Sequence, residues 1–140
     1  MEQPRWHLRH DNLKSALNKL LTEAIDGLRA GRLSMLEREG LIQRFEYSWE
    51  LGWKTMRDYL RATGAGVAVP VPTNVIRAAF AVGLIADGDA WIEAKNARNA
   101  MAHEYDRLRA DEVAAAIRDR FHPLLLALDA ALDRERSIGN

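Results

Sequence analysis

The sequence predicts an all-α protein: an antiparallel up-and-down four-helix bundle with one extra short helix. Three observations point there. Apolar residues recur at three- and four-residue steps along most of the 140-residue chain. Glycines and prolines fall mainly between those stretches and divide them. The one alternating run, Val67, Val69 and Val71, carries Pro70 and Pro72 and has no second run to pair with.

Each element has its own signals. Leu13, Leu17, Leu20, Leu21, Ala24 and Leu28 make the stripe of a first helix, and Gly31 falls just past its end. Ser34 and Glu37 form an S-x-x-E capping box, which opens a long second helix over about residues 35–62. Its stripe is Leu41, Phe45, Trp49, Gly52, Met56 and Leu60, widened by Ile42 and Trp53. On its outer face Glu50, Lys54 and Asp58 stand at i,i+4 spacing. Gly52 in mid-helix costs up to about 1 kcal/mol relative to alanine, so its missing side chain should make room for a neighbouring helix or tryptophan. Thr63-Gly64-Ala65-Gly66 ends this helix, and residues 67–72 form an extended loop. Thr73 is placed to cap a short helix to about Val82, which Gly83 stops, and Asp87 to cap the next. Asp111 is placed to start the last helix, with Val113, Ile117, Phe121, Leu124, Leu125, Leu128 and Leu132, and Pro123 should kink it near residues 119–123.

This organisation predicts a single domain over residues 1–140, with flexible ends at about 1–9 and 135–140. Trp6 falls outside the pattern. His7 and His10, three apart in the N-terminal stretch, make a weak metal pair, and no metal or cofactor is expected. The charges from Asp129 to Arg136 read as a solvated helix end. Lys+Arg and Asp+Glu are 20 each, so no global basic field attracts nucleic acid, and any RNA contact must be local. The absence of cysteine removes disulfides and thiolate metal sites and fits a reducing cytoplasm. No run approaches the roughly 20 apolar residues of a membrane span.

The chemistry concentrates in Arg98-Asn99-Ala100-Met101-Ala102-His103-Glu104-Tyr105. An obligate cation, an imidazole with an unperturbed pKa of about 6.5 and a phenol are crowded together. Those groups can hold and cleave a phosphodiester without a metal. Arg98 supplies a planar fork of donors for a phosphate; His103 exchanges protons with a 2′-hydroxyl or a leaving oxygen. Asn99, four residues before His103, can orient the imidazole. Residues five apart sit roughly 140° apart on a helix, so one helix is a poor clamp on one phosphate. Two copies meeting at a twofold axis solve this, and Trp91, Ala94, Ala97 and Met101 offer that helix an apolar face. Trp49, Trp53 and Trp91 are placed in the core or at such an interface.

Three blocks carry a resemblance to a known family. They are Leu41-Ile42-Gln43-Arg44-Phe45-Glu46-Tyr47-Ser48-Trp49-Glu50-Leu51-Gly52-Trp53-Lys54, then Pro72 leading into Val75-Ile76-Arg77-Ala78-Ala79-Phe80 and Gly83-Leu84-Ile85, then Trp91 followed by Arg98-Asn99 through His103-Glu104-Tyr105-Asp106. In this order they resemble the HEPN proteins of the HepT branch, also described as nucleotidyltransferase substrate-binding subunits. The resemblance implies a homodimeric, metal-independent RNase toxin with Arg98 and His103 in the active site and RNA, such as tRNA or mRNA, as substrate. It implies a partner, a minimal nucleotidyltransferase acting as antitoxin, which transfers AMP to Tyr105 and silences the toxin. The alternative is a non-catalytic substrate-binding subunit of a two-component nucleotidyltransferase. The chain has no G-S-x10-D-x-D element of its own.

Overall fold

The structure, a computed structural model, describes residues 3–31, 33–103 and 107–138, with side chains for all of these except 98–103 and 107–109. Among the described residues every regular element is helical, in the order α1 (Arg5–Ser15), a π turn (Ala16–Leu21), α2 (Thr22–Arg29), α3 (Met35–Ala62), α4 (Pro72–Ala81), α5 (Gly88–His103), α6 (Arg107–Ala116), a second π turn (Ile117–Phe121) and α7 (His122–Ile138). The backbone stays right-handed helical through the joints around both π turns. The chain therefore makes four long rods, residues 5–29, 35–62, 88–103 and 107–138, with α4 as the short extra helix.

Cross-contacts fix the topology. Arg9 meets Asp58, and Arg44 donates to the Leu20 carbonyl, so the first two rods are antiparallel. His10 meets Asp129, and Thr22 meets His122, so the first and last rods are antiparallel. Phe45 stacks on Phe121 with ring centroids 5.6 Å apart, and Arg38 pairs with Asp111, so the second and last rods run the same way. This is the up-and-down bundle expected.

The core follows the apolar stripes. Leu41, Phe45, Trp49, Met56 and Leu60 of α3 are buried against Leu13, Leu17, Leu21 and Ile25 of the first rod and Ile117, Phe121, Leu125 and Leu128 of the last. The tryptophans expected inside are inside: Trp49 and Trp91 are each 1% exposed. Gly52 is where Trp91 lies against α3. A Cβ there would meet Trp91 Cη2 at 3.1 Å and Leu125 Cδ2 at 3.3 Å. The missing side chain thus makes room for the tryptophan of α5.

The helix ends match sequence expectation in part. Ser34 Oγ accepts from the Glu37 N–H, and Glu37 accepts from the Ser34 N–H, completing the capping box. Asp87 accepts from the Ala90 N–H at 3.0 Å and caps α5 as expected. Gly64 (φ 83°) and Gly83 (φ 79°) take the left-handed conformation that ends α3 and α4. Thr73 does not cap α4. The cap position falls two residues earlier, on Val71 in extended conformation, and Pro72 opens the first turn, where a proline's missing N–H costs nothing. Asp111 does not start the last helix either. It lies within α6 and pairs with Arg38 of α3.

The largest departure is at the N-terminus. The expected flexible stretch 1–9 includes Arg5–Arg9, which form the first turns of α1. Trp6 is 7% exposed, packed edge-on against Tyr59. Likewise the stretch from residue 135 is helical to Ile138. On α3, Lys54 pairs with Glu50, whereas Asp58 turns to Arg9 and Arg57.

The irregularity expected near Pro123 takes the form of the π turn Ile117–Phe121. The His122 N–H reaches back five residues to the Ile117 carbonyl just before the proline, which has no N–H to give.

Candidate functional site

The motif is carried by α5. Asp87 caps its start, Trp91 and Ala94 fix one face in the core, and its helical backbone runs to His103. Arg98, Asn99 and His103 thus fall in its last two turns, with their side chains outside the described residues. Tyr105 lies wholly outside them. Trp91 and Ala94 were expected to contribute an apolar face to a dimer. Each is 1% exposed within the single chain, so both are consumed by its own core. Ala97 is half-buried and packs on that core as well. Glu93, one turn before the motif, ion-pairs with Arg120 of the last rod and so ties α5 to it.

Two histidine clusters are built from the first and last rods. His10, fully buried, lies with Nε2 2.7 Å from Asp129 Oδ1, and Arg136 donates to its Nδ1 at 3.3 Å. Lys14 bonds both Asp129 and Asp133, and Arg136 also bonds Asp11 at 2.7 Å. The Asp133 carboxylate, and to a lesser extent Asp129, holds the Lys14 ammonium above its ordinary pKa. His10, Asp129 and Asp133 bring ligand atoms within 4.8 Å of one another, a spacing a metal could use. The ammonium of Lys14 already supplies the positive charge between the two carboxylates. The charge run from Asp129 to Arg136 is therefore a clasp onto α1, where the sequence suggested a solvated end. His7 does not join this set of ligand atoms.

The second cluster joins the two π turns. Thr22 follows the first and His122 the second, and Thr22 Oγ1 lies 3.0 Å from His122 Nε2. Burial pushes the His122 pKa below its ordinary value; the nearby Arg29 pushes the same way, and Asp26 opposes both. Folding thus favours neutral His122. Its contribution to stability is complete above the unfolded pKa of about 6.5 and is lost as pH falls toward the lower folded value. We expect the wild type to lose more stability between pH 7.5 and 5.5 than His122→Gln in urea melts. Equal losses in the two proteins would remove His122 as the cause.

An all-α bundle of four long rods, with Arg98 and His103 in the last turns of the third, defines the protein as a HEPN-like helical bundle. The chain belongs to the family described as "Nucleotidyltransferase substrate binding protein like", which it matches over residues 8–134. It is 32% identical over 83 residues to a Haemophilus influenzae protein named "Probable ribonuclease HepT". That match covers 57% of this chain and 57% of the relative, so the aligned stretch spans little more than half of either. Its fold is similar to a crystal structure from Thermus thermophilus, with a TM-score of 0.71 and 30% identity over 87% of this chain and 97% of that one. No helix among the described residues is long and apolar enough to cross a membrane.

Proposed function

We propose that the protein is a cytoplasmic, single-domain RNase toxin that cleaves RNA without a metal and is silenced by a partner nucleotidyltransferase. The observation that carries this reading is the R-x4-H-x-Y sequence motif, whose Arg98 and His103 fall in the last two turns of α5, in a chain of this family with a relative named as a ribonuclease. Arg98 holds the scissile phosphate. His103 takes the proton as the 2′-oxygen attacks phosphorus. The bond to the 5′-oxygen breaks as the His103 imidazolium gives the proton to that oxygen, leaving a 2′,3′-cyclic phosphate and a 5′-hydroxyl. The roughly 140° between Arg98 and His103 on one helix is met by a homodimer, in which two copies of α5 build a composite site with Asn99 orienting the imidazole.

The partner's reaction joins the Tyr105 phenol oxygen to the α-phosphorus of a nucleoside triphosphate and expels pyrophosphate. The AMP left on Tyr105 adds charge and bulk two residues from His103 and competes for the Arg98 fork. Co-expression with a cognate nucleotidyltransferase should add one or more AMP masses to the peptide that contains Tyr105, and Tyr105→Phe should abolish the addition. Unchanged mass, or full modification of the Phe variant, would end this account of its silencing.

The family's own description favours a second reading, a non-catalytic subunit that presents substrate to the nucleotidyltransferase. Expression of the chain alone separates the two. Growth arrest that requires His103 supports the toxin, and normal growth with unmodified Tyr105 supports the substrate-binding subunit.

A further inference from the structure

Four arginines gather at the end of the bundle where α1 starts and α3 finishes. Asp58, 4% exposed, is their anchor: Arg9 Nε bonds one carboxylate oxygen at 2.6 Å and Arg57 Nε the other at 3.2 Å. Arg57 is held again by Trp53, with its guanidinium 5.4 Å from the ring centroid. Each inner arginine is thus fixed through Nε, and its terminal nitrogens take no other bond among the described residues. Asp58 also lines a cleft of about 260 Å³ whose other walls are Arg5, Trp6, Arg61 and Ala62, so the two inner arginines reach this cleft only through the carboxylate they share. Arg5 and Arg61 are exposed, and no carboxylate among the described residues pairs with either.

The charge here does not cancel. Among the described residues Asp58 offsets one arginine of the four, Asp11 is taken by Arg136, and Glu135 bonds Tyr59 beside Trp6, which still leaves the arginines in excess. The start of α1 adds to it. Pro4 offers no side-chain cap and the first turn has no acidic residue, so neither the cap nor the first turn compensates the positive end of the helix. In a chain whose net charge is zero, this end is a local concentration of anion-binding groups. The arginines form two rows at i,i+4 spacing, Arg5 and Arg9 on α1 and Arg57 and Arg61 on α3. Each row spans about 6 Å along its helix, a spacing that suits successive phosphates of an extended strand better than one small anion.

We propose that this cleft is a second phosphate-binding site that takes the backbone of a polynucleotide strand, with Arg5 and Arg61 on its walls and Arg9 and Arg57 adding positive charge from their places on Asp58. The proposal rests on the reading of RNA as substrate. It places an RNA contact far from the motif. Arg38, near the start of α3, pairs with Asp111 beside the α5–α6 junction, and Arg61 lies 23 residues further on, roughly 35 Å away along α3. The site would hold a distant part of a long RNA and set affinity rather than chemistry.

The test reads binding alone. A 20-nucleotide 2′-O-methyl RNA lacks the attacking hydroxyl, so its affinity can be measured by fluorescence anisotropy on the full chain whether or not the chain is a nuclease. Arg5→Gln/Arg61→Gln should weaken binding about tenfold at moderate salt, and should lower the log–log salt slope by about 1.4, the value for two contacts on a single strand. Arg5→Lys/Arg61→Lys should keep the slope. Both residues are exposed, so melts should be unchanged, and the single Arg61→Gln variant gives an independent reading with half the slope change. No binding by the wild type, or equal affinity and slope in the Gln variant, would overturn the proposal. Displacement of the strand by equimolar AMP or inorganic phosphate would also overturn it, in favour of a mononucleotide or free-anion site. Retained binding in a protein that cuts no RNA would leave this site standing and remove only the catalytic reading.

Discussion

Replacing His103 with alanine should lower metal-independent RNA cleavage by about 10²–10⁴-fold and leave the melting temperature unchanged. The proton that leaves the 2′-hydroxyl needs an acceptor poised near neutral pH, and among the motif's groups only the imidazole titrates there. Arg98→Ala should cost a comparable factor, because charge building on the phosphate loses its bidentate donor. Arg98→Lys should recover only part of that loss, since an ammonium is a point charge without the fork. Folding should be spared, because the core around α5 is furnished by Trp91 and Ala94, with Ala97 and Ile92 packed against it. The assay is cleavage of total RNA by purified protein in EDTA, with a melt on each variant. Undiminished cleavage by a well-folded His103→Ala protein would refute its role.

The second large effect is structural. Trp91→Ala should destabilise the bundle by about 3–5 kcal/mol, the usual cost of emptying a buried tryptophan site. Its ring is 1% exposed, lies with its centroid 6.4 Å from that of Trp49 and covers Gly52. The more telling experiment is the double-mutant cycle with Gly52→Ala. In the wild type the new methyl meets Trp91 and Leu125 and must displace them. Overpacking of that kind costs about 1–3 kcal/mol, more than the gain of up to about 1 kcal/mol that Gly→Ala brings to a helix. With Trp91 removed, only the end of the Leu125 side chain has to give. It can move into the space the ring leaves, and the helix gain remains. Gly52→Ala should therefore destabilise the wild type and stabilise Trp91→Ala. The same sign in both backgrounds would show that Gly52 is not there for the tryptophan.

The parts legible in the sequence were those set by local rules. The capping box at Ser34, the aspartate cap of α5, the glycine stops and the α3 stripe each depend on residues within a few positions. The start of α1 was illegible for a definite reason. Its buried stripe is Trp6, His10, Leu13 and Leu17, and a fully buried histidine takes the place of an apolar residue. That histidine makes sense only beside Asp129, which lies 119 positions away. Asp111 looks like a helix start for the same reason, since its partner Arg38 belongs to another rod. The arginine cluster is not legible in the sequence because its four members come from two helices far apart along the chain. For the motif, sequence supplied the identities and the helix, and the fold adds which face of α5 is committed to the core.

The two π turns have a consequence for the tolerance of this chain to insertion and deletion. A π turn contains one residue more than an α turn, and one residue is about 100° of helical phase. Each outer rod is thus two α-helical segments out of step, and the Thr22–His122 bond joins them just past both steps. Loss of a single residue from α1 or α2 is absorbed by relaxing the first π turn to an α turn, with only the residues between the turn and the deletion changing register. The α-helix α3 holds no such spare residue, so single-residue deletions should be accepted in the first and last rods and rejected in α3.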